Sequence, residues 1–407
     1  MLLRQERNYL SSYACWYLYL LMNILVVGAG VFGVTAALEL ARRGHDVRLA
    51  DPGPLPHPDA SSTDINKIVR LDYGAEAHWT ELAELAREGW IDWNQQLGEI
   101  LFHEVGMACL TSTAMEPGSF ERDSFDLLVS RGWKLDRLDA DGIAATLPAF
   151  RSQHYTDGYL NPFAGWSPSG RVVELLLAQA QQAGVKIESE CRVVELMTNG
   201  SRVVGILDDQ AVEHFADLVL VAAGAWTPTL LPELDAYMAC IGQPVVHLRV
   251  EDAEQFRPPN FAVWTSDIGT TGWYGFPATG DGILKIGNHG PGRRLRATDR
   301  KVVDPVDVAN CRRFLKTCLP SIAESPVVEE RLCLYCDTFD HAFWIDYHPE
   351  RPGLFVATGG SGHGFKFAPV LGNIISDVVE RHPNPWASRF SWREPGAAIF
   401  ESCRRLS

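Results

Sequence analysis

No stretch of clustered Lys and Arg interrupts this 407-residue chain, whose net charge is −15. That argues against nucleic acid or an anionic membrane as the main partner, while leaving room for a local basic pocket that holds a small anion. Internal repeats and low-complexity segments are missing. Residues 1–22 are not expected to act as a secretory leader: Arg4, Glu6 and Arg7 make a poor n-region, no small-residue cleavage site follows, and the apolar end is too short to span a bilayer. Met22 stands immediately before the first expected strand, so residues 1–21 read as a non-native or disordered extension and Met22 as the natural start. A disulfide framework is also lacking. The nine cysteines, at 15, 109, 191, 240, 311, 318, 333, 336 and 403, form an odd and irregular set that suggests reduced thiols in a cytoplasm. Cys333-Leu-Tyr-Cys336 offers two zinc ligands with no second pair or HxxxH, and no metal is expected. A hydrolase nucleophile elbow fails at Gly359-Gly360-Ser361-Gly362-His363, where a histidine replaces the second glycine of G-x-S-x-G.

What is present is organised around Asn23–Asp51. Ile24 to Val27 is a short apolar run with β-branched residues, as in a buried parallel strand, and Gly28-x-Gly30-x-x-Gly33 follows at once. Val34, Leu38 and Ala41 recur at helical spacing, Gly44 closes the helix, and Val47 to Ala50 reads as a second strand. The three glycines suit a tight turn, close approach of backbone to a pyrophosphate, and close helix–strand packing, with the helix N-terminus offering N–H groups to phosphate. Asp51 lies where a carboxylate accepts ribose hydroxyls, which favours FAD or NAD over NADP and leaves the choice between those two open.

Further along, apolar spacing predicts helices over 75–97, 172–183, 305–318 and 367–381, short helices over 120–148, and strands over 98–115. A hairpin is expected across Asn199-Gly200. The apolar strands near 218–222 and 354–358 return the chain to the nucleotide sheet, as in an interrupted doubly wound fold. The expected class is mixed α/β: a Rossmann-like FAD-binding domain (22–90, 155–240, 335–385) interleaved with a substrate domain on a mostly antiparallel sheet (91–154, 241–334, 386–407).

Several strings, taken in order, carry a family resemblance: the Gly28 fingerprint, Ser61-Ser62-Thr63-Asp64-Ile65-Asn66-Lys67-Ile68-Val69-Arg70, Tyr274-Gly275-Phe276-Pro277, Leu284-Lys285-Ile286-Gly287, Cys333-Leu-Tyr335 and Gly362-His363-Gly364-Phe365-Lys366. From about Met22 to about residue 393 the chain resembles the FAD-dependent amine oxidases of the monomeric sarcosine oxidase and fructosyl amino acid oxidase (amadoriase) family. The Ser-Thr-Asp-Ile-Asn-Lys string leans toward the fructosyl side.

The resemblance implies FAD, held covalently through Cys333 with Cys336 as the competing cysteine, and contacted by Gly28, Gly30, Val31, Phe32, Gly33, Asp51, Ser61, Ser62, Val193, Gly362, Gly364, Phe365 and Lys366. It implies Arg70 and Lys366 as the clamp for a substrate carboxylate, which agrees with the bidentate chemistry of a guanidinium. Arg393 is a candidate second anion contact, and Tyr274 and Tyr335 line the pocket. Lys285, reinforced by Lys67, would stabilise superoxide as oxygen is reduced, and His289 and His363 would tune the amine. The partners implied are a small amino acid derivative and molecular oxygen, acting on a monomer or weak homo-oligomer. The expected reaction is oxidation of a secondary-amine amino acid, fructosyl or N-alkyl, to an imine and hydrogen peroxide. The alternative is a flavin-dependent dehydrogenase or tailoring oxidase acting on a substrate such as pipecolate.

Overall fold

The computed structural model describes residues 21–299, 302–396 and 402–404. The expected 1–21 extension therefore lies outside the described residues, apart from Leu21. A six-stranded sheet runs in the order Trp344–Tyr347, Leu354–Thr358, Leu218–Val221, Asn23–Val27, Asp46–Asp51, Lys186–Ser189. All its pairings are parallel except at the Trp344–Tyr347 edge. Its central strands are buried on both faces, which is why they read as unbroken apolar runs.

Alternate residues of those strands go to opposite layers. Ile24, Val26, Leu218 and Leu220 pack with Val34 and Leu38 of the Val31–Arg42 helix and with Leu371 and Ile375 of the Ala368–Val379 helix. Leu25, Val27, Val219 and Val221 pack with Val203 and Ile206 of a three-stranded antiparallel sheet. Each such side chain contributes about 1.5–3 kcal/mol when fully buried. Gly33 packs against the Gly28 turn, where an added Cβ would lie 1.8 Å from the Gly28 carbonyl oxygen.

The second body is a larger, mostly antiparallel sheet centred on the Met238–Arg249 strand. That strand pairs with Ile283–Asn288 on one side and Val327–Thr338 on the other. One face is apolar: Val246, Leu248, Leu284 and Ile286 pack with Leu315 and Cys318 of the Pro305–Cys318 helix. The alternate residues make the opposite face, which includes ionisable side chains. Gln243, Val245 and His247 stand opposite Cys333, Arg331 and Glu329, while Lys285 stands opposite His247 from the other side. Tyr274 pairs with Gly287, whose missing side chain makes room for the Tyr274 ring: a Cβ there would lie 2.4 Å from the phenol oxygen.

Three expectations change. Asp136–Asp139 is a strand rather than part of a helix, and the helix that follows spans only Ala140–Thr146. Asp157–Asn161, expected in the nucleotide segments, joins the large sheet between Met107–Thr111 and Asp136–Asp139. In 98–115 one strand forms, Met107–Thr111. In each case pairing with a distant strand decides the outcome, and a local window does not contain it. Among the described residues no helix is long and apolar enough to cross a membrane, and every described cysteine is a free thiol.

Candidate active site

A cavity of about 560 Å³ runs along the end of the first strand and the start of the first helix. Gly28, Gly30, Val31, Phe32, Asp51, Ser61, Ser62 and Val193 line it, as do Gly362, Gly364 and Phe365. Its fit to a dinucleotide shows in the backbone. A Cβ on Gly28 would lie 2.7 Å from the Ala222 carbonyl oxygen, so only glycine brings the turn this close. The Val31 N–H at the helix start is directed at the Ser62 hydroxyl, 3.2 Å away, on the cavity wall. Asp51 is buried at the strand end; its two oxygens accept N–H groups from Ala29 and Gly53, which aims the carboxylate and leaves lone pairs for hydroxyl donors. Gly33 lies behind this wall and serves the packing of helix on turn.

Lys67 and Tyr335 line the same cavity, and they lead to the ionisable side chains on the sheet face. The Lys67 ammonium is 3.7 Å from the Cys333 sulfur. Cys336, three residues on, points to the opposite side of its strand, packs on Met238, and has its thiol pushed up to about 11 by burial. Of the two cysteines, Cys333 alone has a lysine ammonium beside its sulfur among the described residues, while Cys336 is the one that lines the cavity. Tyr274 and Tyr335 are neighbours of Cys333, and burial pushes both phenols above the usual range, so both stay protonated. His289 continues the Lys285 strand and lies with its ring 5.7 Å from that of Tyr335.

Arg70 and Lys366 converge on Tyr73. The Arg70 guanidinium is 4.7 Å and the Lys366 ammonium 5.3 Å from the Tyr73 ring centre, and Phe120 brackets Arg70 from another side at 5.5 Å. The Arg70 Nη1 atom is buried with no hydrogen-bond partner among the described residues. A guanidinium nitrogen held that way invites an anion, because an unmet buried donor costs about 1–3 kcal/mol. Lys366 is steadied by donating to the His363 carbonyl at 2.9 Å.

Lys285 is buried, with its ammonium 2.6 Å from Asp64 and donating to the Asn66 carbonyl at 2.6 Å. Burial lowers it to about 8 against the pull of Asp64, with Lys67 repelling it further. Burial works against ionised Asp64, but Lys285, His247 and Lys67 hold its carboxyl well below the ordinary value. Lys67 reaches the same carboxylate at 3.8 Å, so one anion organises two cations.

Two expected roles are corrected by geometry. Arg393 spends all five of its N–H donors inside the protein: two on the Asp340 carboxylate and the others on the carbonyls of Phe343, Ser391 and Ala342. No donor is left for a substrate anion. His363 has both ring nitrogens engaged: Nε2 meets the His341 carbonyl at 3.0 Å, which fixes the proton there, and Nδ1 accepts from the Tyr73 hydroxyl at 3.2 Å. His363 therefore positions the ring on which Arg70 and Lys366 rest. Tyr73, Asp64 and His247 belong to the site and carried no role in the sequence reading. For His247 the signal is polarity at an inward position of a largely apolar strand, shared with Gln243.

Residues 23–378 match the FAD dependent oxidoreductase family (DAO). The chain is 26% identical to a monomeric sarcosine oxidase of Bacillus sp. (strain B-0618), over 88% of this chain and 92% of the relative. It is 27% identical to L-saccharopine oxidase of Schizosaccharomyces pombe (strain 972 / ATCC 24843), over 92% of this chain and 94% of that one. Among solved structures, fructosyl amine: oxygen oxidoreductase (Amadoriase I) from Aspergillus fumigatus superposes with a TM-score of 0.80 at 26% identity, covering 92% of this chain and 90% of the other. With the glycine turn, the Asp51 strand end and the cavity between them, the match places the chain in the FAD dependent oxidoreductase family.

Proposed function

We propose that the protein is an FAD-dependent oxidase of secondary amines that carry a carboxylate, releasing an imine that hydrolyses and hydrogen peroxide. Bound FAD would supply the redox chemistry, taking a hydride equivalent from the carbon next to nitrogen and passing electrons to dioxygen. The residues supply placement and charge. Arg70 and Lys366 bind the carboxylate, one as a planar fork and the other as a point charge. Tyr73, held by His363, sets the distance between them. Tyr274 and Tyr335 wall the reacting carbon, and their protonated phenols keep negative charge out of that wall. Lys285 and Lys67 set positive charge apart from the carboxylate clamp, where reduced oxygen species would be stabilised. Cys333 is the proposed point of covalent attachment, with the Lys67 ammonium 3.7 Å from its sulfur.

The observation that carries this reading is the buried Nη1 of Arg70, unpartnered among the described residues, with Arg70 on the same ring as Lys366, while Lys285 is held by other partners, Asp64 and the Asn66 carbonyl. Sarcosine and saccharopine, named in the relatives above, are both carboxylate-bearing secondary amines, and a fructosyl amino acid has the same two groups. The test is oxygen uptake and peroxide formation with sarcosine, saccharopine and fructosyl glycine, each beside its methyl ester. The acids are expected to react and the esters to fail. A yellow protein that none of a broad set of such acids reduces would overturn the proposal.

A further inference from the structure

Lys285 is the inner end of a row of ionisable side chains that the clamp and the cofactor do not require. His247 lies directly opposite Lys285 on one neighbouring strand and directly opposite Glu329 on the other. Directly opposite residues on one sheet face are nearest neighbours, so three strands lay these side chains in line. Asp64 closes the row. Its Oδ2 is 2.6 Å from the Lys285 Nζ, its Oδ1 is 3.3 Å from His247 Nε2, and His247 Nδ1 is 3.0 Å from Glu329 Oε2. The side chains of Lys285, Asp64 and His247 are 1%, 1% and 3% exposed, whereas that of Glu329 is 53% exposed. The row therefore runs from the buried ammonium to water in three close ion-pair contacts, of which the His247–Glu329 one is a hydrogen bond, while His247 Nε2 faces Asp64 without one.

Charge balance alone does not account for His247. Asp64 already faces two cations, Lys285 and Lys67, with Arg331 on the Glu329 strand adding a third influence. An apolar side chain at 247 would continue the buried row begun by Val245. What an imidazole adds is a pair of nitrogens, one able to take a proton while the other gives one up.

We propose that Glu329, His247 and Asp64 form a proton path from solvent to Lys285 that serves the reduction of dioxygen; this rests on the oxidase reading above. Each dioxygen that becomes hydrogen peroxide takes up two electrons and two protons. The carbon–hydrogen bond of the amine, broken as a hydride equivalent, provides both electrons and one proton. The second proton leaves the Lys285 Nζ for the peroxide oxygen. The neutral amine regains it from Asp64, Asp64 is supplied from His247 Nε2, and His247 is recharged at Nδ1 through Glu329. Lys285, lowered by burial to about 8 against the pull of Asp64, gives up and recovers a proton near neutrality more readily than an ordinary lysine. Lys67 and Arg331 are the other charges facing this path, and neither lies between its members.

The test uses the flavin-loaded protein and the variants His247→Gln and Glu329→Gln, with reduction by the amine followed under anaerobic conditions and reoxidation followed after mixing with oxygen. Anaerobic reduction is expected to stay within about twofold, and reoxidation to slow by about tenfold or more in His247→Gln, with an altered pH profile and a larger solvent deuterium effect. Glu329→Gln sits at the surface, keeps the fold, and is expected to slow reoxidation by a smaller factor. A second readout is independent of turnover. With ¹³C-labelled histidine, the His247 Cε1–H signal should move in Glu329→Gln, since Glu329 meets its Nδ1 at 3.0 Å. Normal reduction with unchanged reoxidation in both variants would overturn the path, as would a His247 signal that ignores Glu329→Gln. A wild-type protein that no amine reduces would overturn the oxidase reading and, with it, this role.

Discussion

Replacing Arg70 by alanine should separate binding from stability in a way few residues can. Among the described residues its Nη1 has no hydrogen-bond partner, and its guanidinium lies over the Tyr73 and Phe120 rings. Truncating one partner of a hydrogen-bonded charge pair costs about 2–5 kcal/mol, so affinity for a carboxylated amine should fall by about 30-fold to several thousandfold. Arg70→Lys keeps the charge and loses the fork, and should fall between alanine and wild type. Folding stability should change little, by about 1 kcal/mol or less, because the lost ring contacts are offset by removal of an unmet buried donor. Arg393→Ala is the contrast. It strands Asp340 and three carbonyls, and should cost about 2–3 kcal/mol of stability while leaving affinity for the carboxylate near wild type. Urea denaturation of the flavin-loaded proteins and calorimetric titration with a non-reacting carboxylated amine measure both quantities. The reasoning is refuted if Arg70→Ala unfolds more easily than Arg393→Ala, or if it binds the ligand as wild type does.

Other outcomes follow from the same geometry. Acid precipitation of the wild-type protein should leave the yellow colour in the pellet; Cys333→Ala should release it, and Cys336→Ala, whose thiol is buried against Met238, should not. Asp64→Asn removes the carboxylate that opposes the lowering of Lys285, so the ammonium should lose its proton below about pH 8 and the alkaline limb of reoxidation should move to lower pH. Breaking this buried pair should also cost about 3–5 kcal/mol near neutrality. Because the Asp64 carboxyl is held below its unfolded value, its stabilisation is present above about pH 3.8 and lost as pH falls. Acid unfolding of Asp64→Asn should therefore be less steep than that of wild type.

The legible parts of the sequence were those whose signal is local. The Gly28 turn and the strand ending at Asp51 could be read because one βαβ unit holds its whole pattern within thirty residues. Arg70 and Lys285 were placed through short strings that resemble known enzymes, and the structure sets both among buried or aromatic partners. Arg393 misleads in sequence because Asp340, which takes two of its five donors, lies 53 residues away. The Asp157–Asn161 strand was assigned to the wrong body for the same reason: its neighbours are Met107–Thr111 and Asp136–Asp139. His247 gave one cue, polarity at an inward position, and only cross-strand register reveals Lys285 and Glu329 on either side. Alternation tells which face a residue takes, but not what stands opposite.

Two cationic centres with separate tasks are the heart of this account, and measuring the half-reactions apart tests them most directly. With Arg70→Ala, reduction by the amine under anaerobic conditions should demand far more substrate, while reoxidation by oxygen proceeds as in wild type. With Lys285→Met the pattern should reverse, the amine step near normal and the oxygen step slowed about a hundredfold or more. Both variants impairing the same half-reaction, or neither changing its own, would contradict it.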